Sequence, residues 1–338
     1  MVTIKEIAQS CNLSAAAVSK ALREQPDISQ VTREKVKKVA KEMGYIPNAA
    51  AIRLKTNHSY TIGVLLKNDS DSRLDHAFFA SVLNHFIFAC HNSGYTVLFL
   101  CEKIGHQDLS YLESAQTFGC DAVFILNANY QESSVIQLME GQIPLVLLDY
   151  SFHQLASVHS DNAVGMGEMV RYAYEKGHRK IAMIYGDDSF ITKQRVASFH
   201  KACHEVGLEI PDEYISQQKY HAPETAERAT HLLLDLPNPP TFIFYQDDFS
   251  FLGGKTALEE RGLSYPKDIS VAGYDGQPIS QGLSPKLMTW KQNTVDLGKK
   301  AWEILQEAIE HPKTYLPKDY QVQGEFCSGA SVKDLTVG

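Results

Sequence analysis

Three polar side chains stand directly after short apolar runs: Asp149 after Leu145–Leu148, Gln246 after Phe242–Tyr245, and Asp275 after Val271–Gly273. Planar side chains of this kind bond adjacent hydroxyls in pairs, so at the ends of strands they suit a polyhydroxylated ligand. The signatures of catalysis fail in turn. Gly253-Gly254-Lys255-Thr256 ends like a phosphate loop, but Phe249 occupies the position where that loop needs its first glycine. Asp187-Asp188 and Asp247-Asp248 each follow an apolar strand and need only cap the next helix or bind ligand. His200, Cys203 and His204 share a helix face at metal-ligand spacing, yet no further close His or Cys completes a four-coordinate set. There is no G-x-S-x-G and no dinucleotide glycine fingerprint. The expectation is a protein that is not an enzyme, with no cofactor and no metal.

The second chemistry is electrostatic. Residues 1–58 hold ten Lys/Arg against five Asp/Glu, a net of +5, which leaves −13 for the remainder of a chain whose total is −8. A basic head on an acidic body suits nucleic-acid binding by the head, and a solvated basic helix is the plain alternative. The 338 residues make two or three units at about 100–200 residues per domain. The first turn already carries Lys5 and Glu6, and no apolar run approaches the roughly 18–20 residues of a membrane span, so a cytoplasmic protein is expected. Six cysteines lie scattered without a C-x-x-C pair and read as small structural hydrophobes.

The elements that position the head are legible. Thr3-Ile4-Lys5-Glu6 is a capping box, and Ile4, Ile7, Ala8 and Cys11 share one helix face. Ser14 caps a second helix with Ala17, Val18, Ala21 and Leu22 on a face, and Gln25-Pro26-Asp27 ends it. A third helix runs from about Ser29 to Met43, with Val31, Val36, Val39, Ala40 and Met43 expected inward and Gly44 as its stop. Two short helices joined by a tight turn form the helix-turn-helix pattern, whose second helix enters the DNA major groove.

The wording of this segment resembles the lactose-repressor (LacI/GalR) family along its whole head: Val2-Thr3-Ile4-Lys5-Glu6-Ile7-Ala8, Leu13-Ser14, Val18-Ser19-Lys20-Ala21-Leu22, Thr32-Arg33-Glu34-Lys35-Val36 and Gly44-Tyr45-Ile46-Pro47-Asn48. The resemblance implies a hinge helix capped by Asn48 that orders on operator DNA and wedges Leu54 into the minor groove. Two departures stand out. Where the family places polar base-readers followed by Thr, this chain has Ala15, Ala16 and Ala17, which can touch a thymine methyl but cannot hydrogen-bond a base edge. The hinge has Ala51-Ile52-Arg53 where the family commonly has Ala-Arg. Thr3, Ser14, Ser19, Lys20, Arg23, Ser29, Thr32, Tyr45 and Asn48 are therefore expected to hold the head mainly through phosphates.

From residue 60 onward, short apolar runs alternate with helix-length segments: Thr61–Leu66, Tyr95–Leu100, Ala122–Leu126, Leu145–Leu148, Lys180–Tyr185, Thr241–Tyr245 and Ile269–Ala272. These read as parallel strands buried on both faces between helices, among them Phe79–Asn92, Asn162–Lys176 and Arg195–Val206. Ser160-Asp161-Asn162, Gly177-His178-Arg179-Lys180-Ile181, Gly207-Leu208 and Ile269–Asp275 resemble the family's effector domain, of type I periplasmic-binding-protein fold. That likeness implies a head of residues 1–46, a hinge and linker of 47–59, and a body of 60–338. Within the body, lobe 1 is expected at about 60–160 and 289–318, and lobe 2 at about 161–288 and 319–338. It also makes Arg195, placed at the start of its helix, the effector-binding arginine, and puts Phe78 and Tyr220 on the pocket wall. Arg195 and Asp275 also admit a purely structural ion pair, and Asp247, Phe78 and Tyr220 a core or capping role. Gln246 stands where many relatives have Asn, and its extra methylene changes the reach. Loop 69–76 is longer and more charged than usual for the family.

The expected partners are double-stranded pseudo-palindromic operator DNA, a small-molecule effector of sugar type held between the lobes, and a second copy of the chain; no membrane is expected. The rival reading is a sugar receptor or enzyme of the same body fold with a vestigial head, which the triple alanine favours.

Overall fold

In the computed structural model, which describes residues 2–46, 58–67 and 74–337, the capping signals act where the sequence puts them. Thr3 Oγ1 accepts from the Glu6 N–H while the Glu6 carboxylate accepts from the Thr3 N–H at 2.7 Å, and helix Ile4–Cys11 follows. Ser14 Oγ accepts from Ala17 N–H at 3.1 Å to open Ala15–Leu22, and Ser29 does the same for Thr32 to open Gln30–Glu42. Ile7, Val18, Ala21, Val36 and Ala40 close a small core. Val31 departs from the expected inward face and is 78% exposed. At 3.6 residues per turn a position five before Val36 is rotated by about 140°, away from the Val36/Val39/Ala40/Met43 stripe.

The chain divides at Ser59/Tyr60 into a head and a body, each compact. The hinge positions Asn48, Ala51 and Leu54, and residues 69–73 of the charged loop, lie outside the described residues.

The body contains two parallel sheets. Across the first, the strands run Asp319–Val322, Ala156–Ser160, Leu145–Leu148, Ala122–Asn127, Thr61–Leu66 and Thr96–Phe99. Their alternation serves two cores: Ile62, Val64, Phe124 and Leu126 face helices Ala77–Asn92 and Thr294–Glu310, while Leu65, Val123 and Ile125 face helices Tyr111–Phe118 and Ser133–Met139. Across the second sheet the order is Ser270–Ala272, Phe242–Phe244, Ile181–Tyr185 and Ile215–Gln217. One face packs Met166, Met169, Phe199 and Trp290; the other packs Ala226, Leu233, Phe251 and Leu258.

Two lobe boundaries need correction. Asp319–Val322 pairs in parallel with Ala156–Ser160 and is the edge of the first sheet, so residues 319–322 belong to lobe 1. Thr289–Lys291, by contrast, pairs with Glu325–Cys327, and Met288 and Trp290 are buried in the lobe 2 core. The chain therefore crosses between lobes near Asp161, near Gln292–Asn293 and near Gln323–Gly324. The strands Ala156–Ser160, Ile215–Gln217 and Asp319–Val322 lack the apolar runs by which the others are read, since they carry Ser, His, Gln and Asp. Helix Phe190–Glu205 begins five residues before Arg195, capped by Ser189, which places Arg195 in its second turn.

Gly253 and Gly254, the glycines of the discarded phosphate loop, lie inside helix Phe251–Glu260, and a Cβ on Gly253 would fall 1.8 Å from the Pro223 carbonyl oxygen. They serve helix packing. Gly298 does the same in lobe 1, where a Cβ would lie 2.5 Å from the Val82 carbonyl oxygen and 2.7 Å from the Phe86 nitrogen. Gly298→Val must push helix Thr294–Glu310 away from Ala77–Asn92, and should cost about 1–3 kcal/mol, read as a lower urea midpoint at unchanged slope.

Candidate functional site: an inter-lobe cleft and a basic helical head

The carboxyl ends of both sheets supply the polar groups of the cleft, which is the usual place for ligands on such sheets. Asp149, Gln246 and Asp275 each stand just beyond a strand, as their spacing predicts. Asp149 and Asp275 adopt φ of +54° and +98°, left-handed conformations that non-glycine residues take up rarely and mostly where the surroundings impose them.

Arg195 is the centre of the second-lobe wall. Its side chain is 7% exposed and that of Asp275 5%. Arg195 Nε donates to Asn162 Oδ1 at 2.8 Å, one guanidinium nitrogen approaches the Gln246 carbonyl at 3.4 Å, and the other lies 3.6 Å from Asp275 Oδ1. Its planar face covers the Tyr274 ring at 3.6 Å, and Tyr220 stands 5.9 Å away. Gln292 donates to Asp275 Oδ1 at 2.6 Å. Burial works against the Arg195 charge, but Tyr220, Tyr274, Asp275 and Asp149 outweigh it. Tyr220 is held by Thr192, hydroxyl to hydroxyl at 3.0 Å.

On the first-lobe side, loss of water pushes the Asp149 carboxyl up to about 7, against the pull of Arg195 and of the Ser160 N–H. Phe78 departs from the pocket-wall expectation: it is buried in the lobe 1 core, because helix Ala77–Asn92 turns that position toward the sheet. The cleft mouth is instead spanned by His76, whose ring stacks on His221 of the opposite lobe at 5.0 Å; His221 stacks in turn on Phe249 at 4.0 Å. An open cleft of 620 Å³ is lined there by Asp75, Ala77, His221, Phe249, Gln277 and Ile279, among others. A separate cavity of only about 10 Å³, lined wholly by lobe 2 side chains, reaches Thr192, Arg195, Tyr220, Gln246 and Tyr274. Asp247 is a turn and capping residue, accepting from His221 N–H, Ser250 N–H and the Ser250 hydroxyl, while Asp248 accepts from Gln277 N–H at 2.6 Å.

In the head, Thr3, Ser14, Lys20, Arg23 and Ser29 are exposed, as are Ala15 and Ala16, while Thr32 and Tyr45 are half-buried. Lys20 meets Asp27 at 2.5 Å and Arg23 Nε donates to the Ser19 carbonyl at 3.0 Å. Ser19 differs from the expectation of an outward polar group: it is buried, on the same turn as Val18, so its side chain belongs to the packing.

Residues 3–48 match the bacterial regulatory proteins of the lacI family, and residues 170–332 match the periplasmic binding protein-like domain. The chain is similar to the probable HTH-type transcriptional repressor ExuR of Bacillus subtilis (strain 168), with 31% identity over 340 residues, 99% of this chain and 100% of that one. It is similar also to the HTH-type transcriptional repressor CytR of Escherichia coli (strain K12), with 29% identity over 312 residues, 91% of this chain and 90% of that one. The chain belongs to the LacI family. Its fold matches the lac repressor dimer bound to operator and the anti-inducer ONPF at a TM-score of 0.82, with 22% identity over 98% of this chain and 99% of that one. This LacI-family chain is a DNA-binding transcriptional regulator, and the relatives are repressors rather than enzymes, which removes the enzyme form of the rival reading. No helix among the described residues is long and apolar enough to cross a membrane.

Asn162, Thr192, Tyr274, Gln292 and the His76–His221 pair escaped the sequence reading of the site. Tyr274 and Asn162 lie inside the quoted family phrases and were within reach; His76 and Gln292 carry no local signal, because their partners are distant in the chain.

The raised Asp149 group has a consequence for stability. A carboxyl lifted from 3.8 to about 7 holds a proton that the unfolded chain gives up, so its contribution is full below about pH 4 and declines as pH rises to about 7. Asp149→Asn should lose less stability than the parent between pH 5 and pH 8, measured by urea denaturation.

Proposed function

We propose that this LacI-family regulator is a homodimeric repressor of a pseudo-palindromic operator, released or recruited by a sugar-type effector held between the two lobes. The observation that carries the effector half is the buried Arg195 cluster of lobe 2, where a guanidinium, the Tyr274 face and the Asp275 carboxylate converge, with Gln277 both donating to Asp275 and lining the open cleft. Planar and bidentate groups beside an aromatic ring are what a sugar needs, and the solved lac repressor complex with operator and ONPF supports the same pairing of DNA and small ligand.

The operator half rests on the exposed positive face of the head and on the family match over residues 3–48. Residues 47–59 are the hinge in this reading, with Leu54 as the minor-groove wedge. Two heads related by a two-fold axis read two half-sites. A second copy would cover apolar surface such as Phe88, which is 63% exposed on helix Ala77–Asn92. The effector acts by binding one arrangement of the lobes more tightly than the other, shifting the order of the paired hinges. The protein works in the cytoplasm, on DNA.

Operator affinity of the full chain should fall steeply with salt, because each neutralised phosphate contributes about −0.9 to the slope of log K against log salt. An affinity with no slope and no sequence preference would revive the receptor with an idle head. Leu54→Ala should weaken specific operator binding by about tenfold or more while effector binding persists. Arg195→Lys keeps the charge but loses the planar fork, and the operator complex should then stop responding to effector; an unchanged response would move the pocket elsewhere.

A further inference from the structure

The second lobe carries a group of donor side chains that neither the effector nor the operator reading uses. Helices Pro223–Leu234 and Phe251–Glu260 cover one face of the second sheet, where Ala226, Leu233, Phe251 and Leu258 are buried. They approach closely because Gly253 has no side chain: a Cβ there would lie 1.8 Å from the Pro223 carbonyl oxygen and 3.0 Å from the Glu227 nitrogen. The first helix places Glu227 and His231 one turn apart on one face, and the second helix ends on Glu260. One oxygen or nitrogen from each of these three residues lies within 4.8 Å of the others. None of the three lines the cleft.

Their partners leave the cluster rich in negative donors. His231 Nε2 meets Glu260 Oε2 at 3.0 Å, while Glu227, half-buried, makes no ion pair and no side-chain hydrogen bond among the described residues. Lys255 is taken by Glu259. The cation at hand is Arg261, whose Nε donates to His231 Nδ1 at 3.2 Å while its two terminal nitrogens hold the Asp235 carboxylate. With Nδ1 accepting, the neutral imidazole carries its proton on Nε2 and donates it to Glu260. A single proton therefore occupies the space between the imidazole and a carboxylate, with a second carboxylate beside it.

We propose that Glu227, His231 and Glu260 form a site for a divalent transition-metal ion of the zinc class, which takes the place of the Nε2 proton and ties the two helices together. An imidazole with two carboxylates suits zinc and its neighbours, whereas magnesium and calcium take oxygen donors. Three protein ligands and a water complete a four-coordinate set, and bonds of about 2.0–2.2 Å put its ligand atoms roughly 3.3 Å apart. Nε2 and Oε2 are already that close, so rotation of the Glu227 side chain supplies the remaining closure. With the ion on Nε2 the ring proton moves to Nδ1, which can no longer accept from Arg261; Arg261 is then left to Asp235. The sequence conceals the site because Glu260 lies 29 positions from His231, and the expectation of no metal is reversed here. The site is independent of the effector and operator assignments.

The test is calorimetric titration of the full-length chain, stripped with a chelator, with zinc chloride and separately with magnesium chloride. Zinc should bind and magnesium should not. His231→Ala should abolish zinc binding, Glu227→Gln should weaken it by about tenfold or more, and Arg261→Gln, which frees Nδ1, should tighten it by about tenfold. Far-ultraviolet circular dichroism of the metal-free variants checks that each is folded. Zinc should also raise the melting temperature of the parent and leave that of His231→Ala unchanged. Cobalt(II) in place of zinc separates this site from the six thiols, because sulfur ligation adds an intense charge-transfer band that nitrogen and oxygen ligands lack. Zinc binding that survives His231→Ala, a sulfur-ligated cobalt spectrum, or equal binding of magnesium overturns the assignment. A titration without zinc binding overturns it as well and leaves an ordinary His231–Glu260 ion pair, and weaker binding by Arg261→Gln overturns the displacement of Arg261.

Discussion

A guanidinium taken out of water has to be surrounded by groups that replace its hydration, and in this chain Asn162, Gln246, Tyr274 and Asp275 surround Arg195, with residues of two of the three inter-lobe crossings among or tied to them. Asn162, at the first crossing, supplies the closest acceptor; Asp275 supplies the counter-charge, and its own backbone is tied to Trp290 and Gln292 at the second crossing. The Tyr274 ring covers the cation's face. Breaking such a buried pair strands the remaining charge, which is why it is costly to disturb.

That placement gives the regulator its mechanical logic. The segments near Asp161, Gln292 and Gln323 are the covalent connections between lobes, and the antiparallel pair Thr289–Lys291 with Glu325–Cys327 binds two of them together. His76 and His221 add a contact across the mouth, as do Tyr150 and Phe190, whose rings lie 6.3 Å apart. The two lobes thus meet across the cleft through a few aromatic contacts beside the three crossings. The head is built separately, from three capped helices with a core of small and β-branched side chains, and exposes serine, threonine and basic groups around an alanine-faced helix.

Local signals were faithful where the physics is local. Capping residues place the three head helices because a side-chain oxygen three residues away either satisfies an orphan N–H or does not. Apolar runs reveal the central strands, whose two faces are both buried. The failures share a cause as well. Val31 is apolar but rotated off the stripe, Ser19 is polar but buried on the core side of its helix, and Ser189 rather than Arg195 marks the start of its helix. Residue type alone does not reveal which way a helix is turned. Edge and late strands such as Asp319–Val322 carry polar residues, since one side of each lies open, so they give no apolar run.

The sequence alone determined the family, the helix-turn-helix head, the two-sheet body and the strand-end carboxylates of the cleft, because each depends on a pattern only a few residues long. The tertiary structure decided which polar groups are truly neighbours: that Arg195 takes Asn162 and Asp275 together, that Phe78 faces the core while His76 spans the mouth, and that residues 319–322 return to the first lobe. Those facts depend on contacts between residues tens to hundreds of positions apart, and the balance of burial against charge that fixes them is settled only when the chain is packed.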